Sequence, residues 1–288
     1  MGGCRGCWRL ASVRSLICVV LAIILAGMVV AGLILPLDPT GFNLARAWEG
    51  PSLAHLCGRD GLGRDVLARL VVGTGTSLTI GVASVSVALA LALGVGGIAG
   101  WCGSWIDAVI MRGVDLLMGI RELALAIVVA VLIGRSAVAV VVILGLGCFP
   151  PLVRFVRSLI LVQRGQAHVL AATALGASPP HVLFRHIMPD IAGPLAVRSA
   201  AIIGPVVQAE AALSFLGIGV QDPSASLGTL VRDGLAGLRS GSHLIIAATV
   251  MVFLIVLTFS LLADEVRDAF DPRWGGRRAR ANASVFGR

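Results

Sequence analysis

Charged residues within or beside apolar stretches are the positions of this sequence best placed to carry chemistry. Glu210 lies within one such stretch, and Arg121 and Glu122 stand side by side in another. A charge in lipid is costly and usually marks a functional site. Neighbours on a helix point about 100° apart, so Arg121 and Glu122 cannot pair side by side. We expect these three residues at a translocation path or subunit interface, with a structural role favoured for Glu210. Arg112 and Asp115, three positions apart, are expected to form a local ion pair.

The other reactive residue types form no recognisable catalytic or metal site. Cys4 and Cys7 make one C-x-x-C pair, whereas a structural zinc site usually has two, so we interpret them as thiols of an N-terminal tail. The five histidines lack the H-E-x-x-H spacing of a zinc protease. All 23 basic residues are arginines, so the phosphate loop of an ATPase, which needs a lysine, is excluded. We expect no catalytic residue, cofactor or metal in this chain.

The charged residues named above lie within long apolar stretches, and these stretches indicate a membrane protein. Only 13% of the 288 residues are charged, against about 25% in soluble domains. About 20 apolar residues are enough to cross a hydrocarbon core. We predict an all-α membrane protein with six transmembrane helices, at about residues 16–35, 75–100, 108–134, 137–160, 192–218 and 243–263. The fourth stretch is expected to be broken by its glycines and prolines.

The distribution of arginine predicts the orientation in the membrane. With the N-terminus inside, the cytoplasmic segments contain about twice as many arginines as the external segments. The positive-inside rule therefore favours this orientation, with both termini in the cytoplasm. Residues 36–70 are then external and residues 161–190 cytoplasmic. The net charge of +8 is explained by this orientation, so we expect a multi-pass protein of the bacterial inner membrane and no nucleic-acid partner.

The loop at residues 163–190 predicts two short helices. Residues 166–175 are rich in Ala and Leu, which favour helix, and Gly176 ends this first helix. Ser178 stands at the N-cap of a second helix, which is expected to end before Pro189. Apolar residues of the second helix fall on one arc at helical spacing, namely Leu183, Phe184, Ile187 and Met188. Small side chains in this loop allow it to seat in a groove of another protein; the alternative is an ordinary surface loop.

The loop resembles the EAA loop of ABC importer permeases. That pattern is Glu-Ala-Ala, three residues, Gly and a later Leu-Pro, and here 170–172, Gly176 and 188–189 occupy these positions, with Leu170 in place of the Glu. Further motifs are similar to the dipeptide and oligopeptide permeases of DppC/OppC type. They are GRDGLGRDVLARL (58–70), ALGASP (174–179), FRHIMP (184–189), AEAALSFLGIGVQDP (209–223) and VRDAFDPR (266–273). They occur in order and cover roughly residues 56–273.

This resemblance implies the fold of a type I ABC importer transmembrane domain, with the loop as a coupling helix that docks on an ATPase. It divides the chain into residues 1–72, a transmembrane domain at 73–264 with the coupling loop at 163–190, and a C-terminal tail at 265–288. The ATPase-coupling residues would be Ala171, Ala172, Ala174, Leu175, Gly176, Ala177 and Ser178.

The resemblance also implies the partners. These are a second homologous permease subunit, cytoplasmic ABC ATPase subunits that bind ATP and Mg, an extracytoplasmic substrate-binding protein, membrane lipid and a peptide substrate. In the first motif, Asp60, Arg64 and Asp65 are expected either to pack a receptor-facing surface or to hold a folded loop.

Two other functions remain open at this point. A secondary transporter could couple to protons through Glu210 or Asp115, although such proteins usually show internal repeats and none is evident in this sequence. A membrane scaffold or membrane-embedded enzyme is the third possibility, and no catalytic constellation favours it.

Overall fold

A computed structural model describes residues 4–34, 39–41, 43–53, 55–221, 223–237 and 242–270. Side chains are described at these positions except 4–14, 33, 122, 242 and 270. The side chains of Cys4, Cys7 and Glu122 therefore lie outside the described residues. The predicted C-terminal tail is described only as far as residue 270, where it continues the last helix.

The described part of the chain is α-helical, with one isolated β-bridge between Arg59 and Asp65. In chain order the helices are α1 (Cys4–Ile34), a 3-10 turn (Leu44–Arg46), α2 (Val66–Cys102), α3 (Ser104–Gly119), α4 (Glu122–Ile133), α5 (Ala137–Arg164), α6 (Ala167–Ala174), α7 (Pro179–Val182), a π-turn (Leu183–Ile187), α8 (Met188–Phe215), α9 (Leu227–Ala236) and α10 (Ser242–Phe270).

Five stretches of helix are long and apolar enough to cross a membrane. They are Ser15–Gly32, Val66–Cys102, Ala137–Arg164, Pro179–Phe215 and His243–Ala269. The helices α3 and α4 provide a sixth span if they are counted as one, although they meet at an angle of 93°. The all-α fold is therefore confirmed, and the predicted six spans correspond to five continuous helices and one broken pair.

The break between α3 and α4 falls at Ile120 and Arg121. Both residues have extended backbone, with ψ of 123° and 136°. The amide of Ile120 still donates to the carbonyl of Leu117 at 3.2 Å, which closes the last turn of α3. The predicted third span at 108–134 therefore consists of two helices rather than one, because two extended residues redirect the chain inside it.

Prolines do not end helices in two places where the sequence predicts that they would. The helix α5 continues through Pro150 and Pro151, and the helix that begins at Pro179 continues through Pro189 as far as Phe215. In the second case the π-turn precedes the proline, with the amide of Met188 donating to the carbonyl of Leu183. A proline ring normally clashes with the carbonyl four residues earlier, and the wider turn displaces that carbonyl.

The centre of the bundle is a close crossing of α2 and α5. A Cβ atom added at Gly96 would lie 2.8 Å from the carbonyl oxygen of Val153, and one at Gly100 would lie 3.0 Å from Cβ of Ile160. Small residues at a helix crossing let the two backbones approach closely, which favours packing in lipid. The α2–α5 pair is thus the scaffold on which the other helices pack.

The bundle has two distinct ends. One carries α6 and α7, and we call it the loop end. The other carries the cap, which we define as residues 43–53 and 55–65 together with α9. Between the ends, many large apolar side chains are exposed, such as Ile23 (64%), Val131 (79%) and Phe253 (61%). Such exposure indicates a surface covered by lipid or by another subunit.

Candidate functional site

The loop end presents a rigid turn of small residues. The amide of Gly176 donates to the carbonyl of Thr173, and the amide of Ala177 donates to the carbonyl of Ala172. Gly176 has φ of +84°, which favours glycine. Together these bonds form the Schellman ending of a helix, so the predicted stop at Gly176 is confirmed.

The predicted coupling residues lie together on this turn. Ala171, Ala174, Leu175, Gly176 and Ser178 are exposed, whereas Ala172 and Ala177 are half-buried. Leu175 is 89% exposed, which is unusual for a large apolar side chain. The loop therefore offers an apolar projection with small residues around it.

Ser178 occupies the N-cap position of α7, and its carbonyl accepts from the amide of Val182. Its side chain makes no capping hydrogen bond. Pro180, at the second helical position, has no amide hydrogen to donate, which leaves only the amide of His181 as a possible capping donor.

Buried side chains attach the loop to the bundle. Val169 of α6 and Val182 of α7 are 2% and 1% exposed and belong to the same apolar cluster as Leu152 and Ile160 of α5 and Ile191 of α8. The loop is therefore held against the membrane helices by side-chain packing as well as by the chain itself.

Two ion pairs join α3 to α5 near the loop end. Arg157 makes two hydrogen bonds to the carboxylate of Asp107, and Arg154 donates to Asp115. Among the described residues no ion pair links Asp115 to Arg112, so the predicted local pair is wrong. Asp115 instead pairs with Arg154 of the neighbouring helix, and a local pair at three residues' spacing would contribute only about 0.2–0.5 kcal/mol.

The cap is centred on a buried carboxylate. Asp60 is fully buried and accepts four hydrogen bonds: from the amides of Leu62 and Arg64, from Nε of Arg64 at 2.6 Å and from Nη1 of Arg69 at 2.6 Å. Both arginines also contact Asp233 of α9, and the Nη1 atom of Arg69 lies 2.9 Å from its carboxylate. This network joins the cap segment, the start of α2 and α9.

Aromatic packing and a helix cap complete this region. The indole ring of Trp48 lies against Gly61 and Gly237, where a Cβ atom would approach within 2.6 Å and 1.9 Å of it. Asp65 caps α2 by accepting from the amides of Leu67 and Ala68, and its carboxylate also contacts His55 at 2.8 Å. Asp60, Arg64 and Asp65 therefore all hold the fold of the cap.

Glu210 lies apart from the loop. It is fully buried, and its Oε1 atom accepts from the hydroxyl of Ser214 at 2.7 Å. The hydroxyls of Ser77 and Ser226 also face this carboxyl group, and the hydroxyl of Ser77 in turn accepts from the amide of Leu227. Glu210 thus lies buried where α8 meets α2 and the start of α9, an arrangement that favours a structural role.

Arg121 faces a cavity of about 500 Å³. It occupies the N-cap position of α4 and is exposed, and the cavity is also lined by Pro150 and Pro151 of α5. Glu122 begins α4, and Glu210 does not belong to the described lining of this cavity. The structure therefore separates Arg121 from Glu210, although both were predicted for one kind of site.

A family model decides the class of protein. The model described as binding-protein-dependent transport system inner membrane component matches residues 92–276, well over half of the chain. The chain belongs to this family.

Curated relatives of this transport family match most of the chain. The glutathione transport system permease protein GsiD of Pectobacterium atrosepticum is 35% identical over 232 residues, which is 81% of this chain and 77% of the relative. The dipeptide transport system permease protein DppC of Alkalihalophilus pseudofirmus is 30% identical over 231 residues, with 80% and 76% covered. None of these comparisons supports a proton-coupled secondary transporter.

A solved structure shows the same fold. The MetNI methionine ABC transporter in inward-facing conformations matches with a TM-score of 0.54 and 20% identity, covering 69% of this chain and 96% of the matched chain. The expected ABC importer transmembrane fold is therefore confirmed. The family and the apolar helices together show a multi-pass location in the inner membrane.

The sequence alone did not identify two arginines of this inner membrane component as functional candidates, one buried and one lining a cavity. Arg69 is fully buried in the cap network, and its position within the motif at residues 58–70 was the only available signal. Arg198 lines a second cavity. Its signal was a charge inside an apolar span, the same signal that singles out Glu210.

The cap network predicts a dependence of stability on pH. Burial opposes ionisation of Asp60, but hydrogen bonds from Arg64 and the charges of Arg64 and Arg69 outweigh burial and hold its pKa below the usual value. The ionised form therefore stabilises the fold above the ordinary pKa of about 3.9, and this contribution is lost as the pH falls through the lower folded pKa.

We expect the thermal unfolding midpoint in detergent to fall less between pH 5 and pH 3 in Asp60→Asn than in the unsubstituted protein. The variant starts from a lower midpoint because it lacks the ion pairs. An identical decrease in both proteins would contradict this assignment of the acid sensitivity to Asp60.

Proposed function

We propose that this chain is a permease subunit of an ATP-driven importer of di- or oligopeptides. The observation that carries the proposal is the exposed turn around Leu175 and Gly176, which buried Val169 and Val182 fix to the membrane helices. Such a turn suits a groove of a separate motor protein. The relatives include glutathione, dipeptide and peptide permeases, which supports the substrate class.

The partners follow from this role. Cytoplasmic ATPase subunits bind ATP and Mg and receive the loop end, which places residues 163–190 and both termini in the cytoplasm. A second, homologous permease subunit completes the path, and an extracytoplasmic substrate-binding protein delivers the peptide to the cap end. Closure of the ATPases on ATP then shifts the bundle between inward-open and outward-open states, each state favoured by one nucleotide condition.

Leu170 gives the docking surface an apolar character. It is 57% exposed and stands one turn before Ala174 and Leu175, at the position where the EAA pattern has a Glu. The loop therefore contacts its ATPase through Leu170, Leu175 and the alanines between them. Burying one leucine side chain contributes about 1.5–3 kcal/mol.

Leu175→Asp tests this proposal. We expect the protein to insert and fold normally, because Leu175 is 89% exposed. The amount of ATPase that co-purifies, and ATP-dependent peptide uptake, should each fall at least about tenfold, because a tenfold loss of affinity corresponds to about 1.4 kcal/mol. The measurement is co-purification in mild detergent, followed by uptake into vesicles that contain the whole transporter.

Leu53→Asp is the matched control. Leu53 is fully exposed, but it lies in the cap at the other end of the bundle, so the same substitution should leave ATPase co-purification unchanged. Normal uptake by Leu175→Asp would sink the proposed coupling role. So would labelling of Leu175→Cys in intact cells by a thiol reagent that cannot cross the membrane.

A further inference from the structure

A second cavity of about 390 Å³ lies between α4, α5 and α8. This volume is within the range of about 300–1,000 Å³ found for small-molecule sites. Its described lining is apolar apart from one charged side chain, that of Arg198. It shares Leu123, Gly147 and Pro151 with the cavity that Arg121 lines. The two cavities are therefore adjacent spaces along one face of α5.

Arg198 lies within a membrane-spanning helix, where a charged side chain is energetically costly. It stands eight residues after Asp190 along a continuous helix, which corresponds to about 12 Å. Among the described side chains no carboxylate forms an ion pair with Arg198 or Arg121. A charged residue in a transmembrane helix usually faces a bundle interior or a water-filled cavity and marks a substrate path.

The same cavities also offer hydrogen-bond acceptors. Pro150 and Pro151 have no amide hydrogen, so the carbonyls of Leu146 and Gly147, four residues earlier, lack their helical donors. Leu146, Gly147 and both prolines line the cavity next to Arg121. The two cavities therefore hold guanidinium groups and carbonyls that lack their usual helical donors, and this set of groups matches a molecule with a carboxylate and an ammonium group.

We propose that these adjoining cavities form a transit site for zwitterionic peptides, in which Arg198 and Arg121 receive the peptide carboxylate and the carbonyls of Leu146 and Gly147 receive the ammonium group. This inference rests on the proposed transport of peptides and names the residues that the substrate contacts. Arginine suits the role because its planar group binds a carboxylate through two parallel hydrogen bonds.

The thiol of Cys148 lines the same cavity as Arg198 and provides a test that needs no transport. In the purified transporter we expect Cys148 to react about tenfold faster with an anionic methanethiosulfonate than with a cationic one, because a cavity of one charge concentrates the opposite charge. Arg198→Gln should abolish this preference. Arg112→Gln is the control, since Arg112 is an exposed residue of α3 outside both cavities and should leave the preference unchanged.

Peptide uptake gives the second readout. In vesicles containing all subunits, Arg198→Gln should reduce uptake of trialanine about tenfold, Arg198→Lys should recover part of it, and Arg112→Gln should transport normally. A transit site is overturned if Cys148 does not react, if its preference for the anionic reagent survives in Arg198→Gln, or if the variant loses its second permease subunit, which would assign Arg198 to an interface. If the unsubstituted transporter moves no peptide while the labelling preference is intact, the peptide function fails and the anion cavity stands.

Discussion

Arg69→Met is expected to destabilise the protein by about 3–5 kcal/mol, the usual effect of removing one partner from a buried ion pair. Arg69 is fully buried, and its Nη1 atom lies 2.6 Å from Asp60 and 2.9 Å from Asp233. Among the described residues, its removal leaves both carboxylates in contact with one shared cation, Arg64. The thermal unfolding midpoint in detergent and the yield of folded protein measure the effect.

Arg46→Met is the matched control for this change. Arg46 is an exposed arginine of the same cap, so its replacement should alter stability by no more than about 0.5 kcal/mol. Adding Asp60→Asn to Arg69→Met should recover part of the loss, because the carboxylate that lacks its partner is then gone. Equal stability of the Arg69 and Arg46 variants would show that the network does not hold the cap.

Gly96→Val is expected to separate the two central helices. The new Cβ atom would lie 2.8 Å from the carbonyl oxygen of Val153 and 3.0 Å from Cβ of Val156, and backbone cannot move aside as a flexible side chain can. Overpacking of this kind costs about 1–3 kcal/mol. We therefore expect a lower unfolding midpoint and less assembled transporter in the membrane.

Gly94→Val separates this steric effect from the general effect of valine in a helix. Gly94 lies two residues earlier in α2, and an added Cβ atom there would meet no atom within 4 Å. Its substitution should leave the midpoint and the assembly unchanged. The close-crossing interpretation is wrong if the two variants lose stability equally.

Hydropathy predicts most of this fold because every membrane span has the same requirement. Each helix needs about 20 consecutive apolar residues, and such a run can be recognised from the local sequence alone. The bend at Ile120 and Arg121 is not visible in this way, because an average over a window of residues does not register two extended residues. Only the adjacent charges of Arg121 and Glu122 marked that place in advance.

Pairs between helices escape local reasoning for a different reason. The spacing of Arg112 and Asp115 correctly places both on one helix, but it cannot reveal that Arg154 of α5 lies opposite. The turn at Gly176 could be predicted because a Schellman ending is determined by neighbouring residues and by the conformational freedom of glycine. The surroundings of Arg198, in contrast, depend on which helices pack beside it, and neighbouring residues in the sequence do not show this.

The π-turn at Leu183–Ile187 has a consequence for the direction of the loop. Five residues of an α-helix turn by about 500°, so Val182 and Ile187 would point about 140° apart in a regular helix. The wider turn joins residues five apart by a hydrogen bond and so brings their directions closer together, and both side chains are buried while Phe184 is 68% exposed. This is why Phe184 does not belong to the predicted apolar arc, whereas Leu183, Ile187 and Met188 pack on one apolar cluster as predicted. The wider turn rotates α7 and the exposed turn before it relative to α8. The direction in which the exposed turn points is therefore determined by the helix itself and not by a partner.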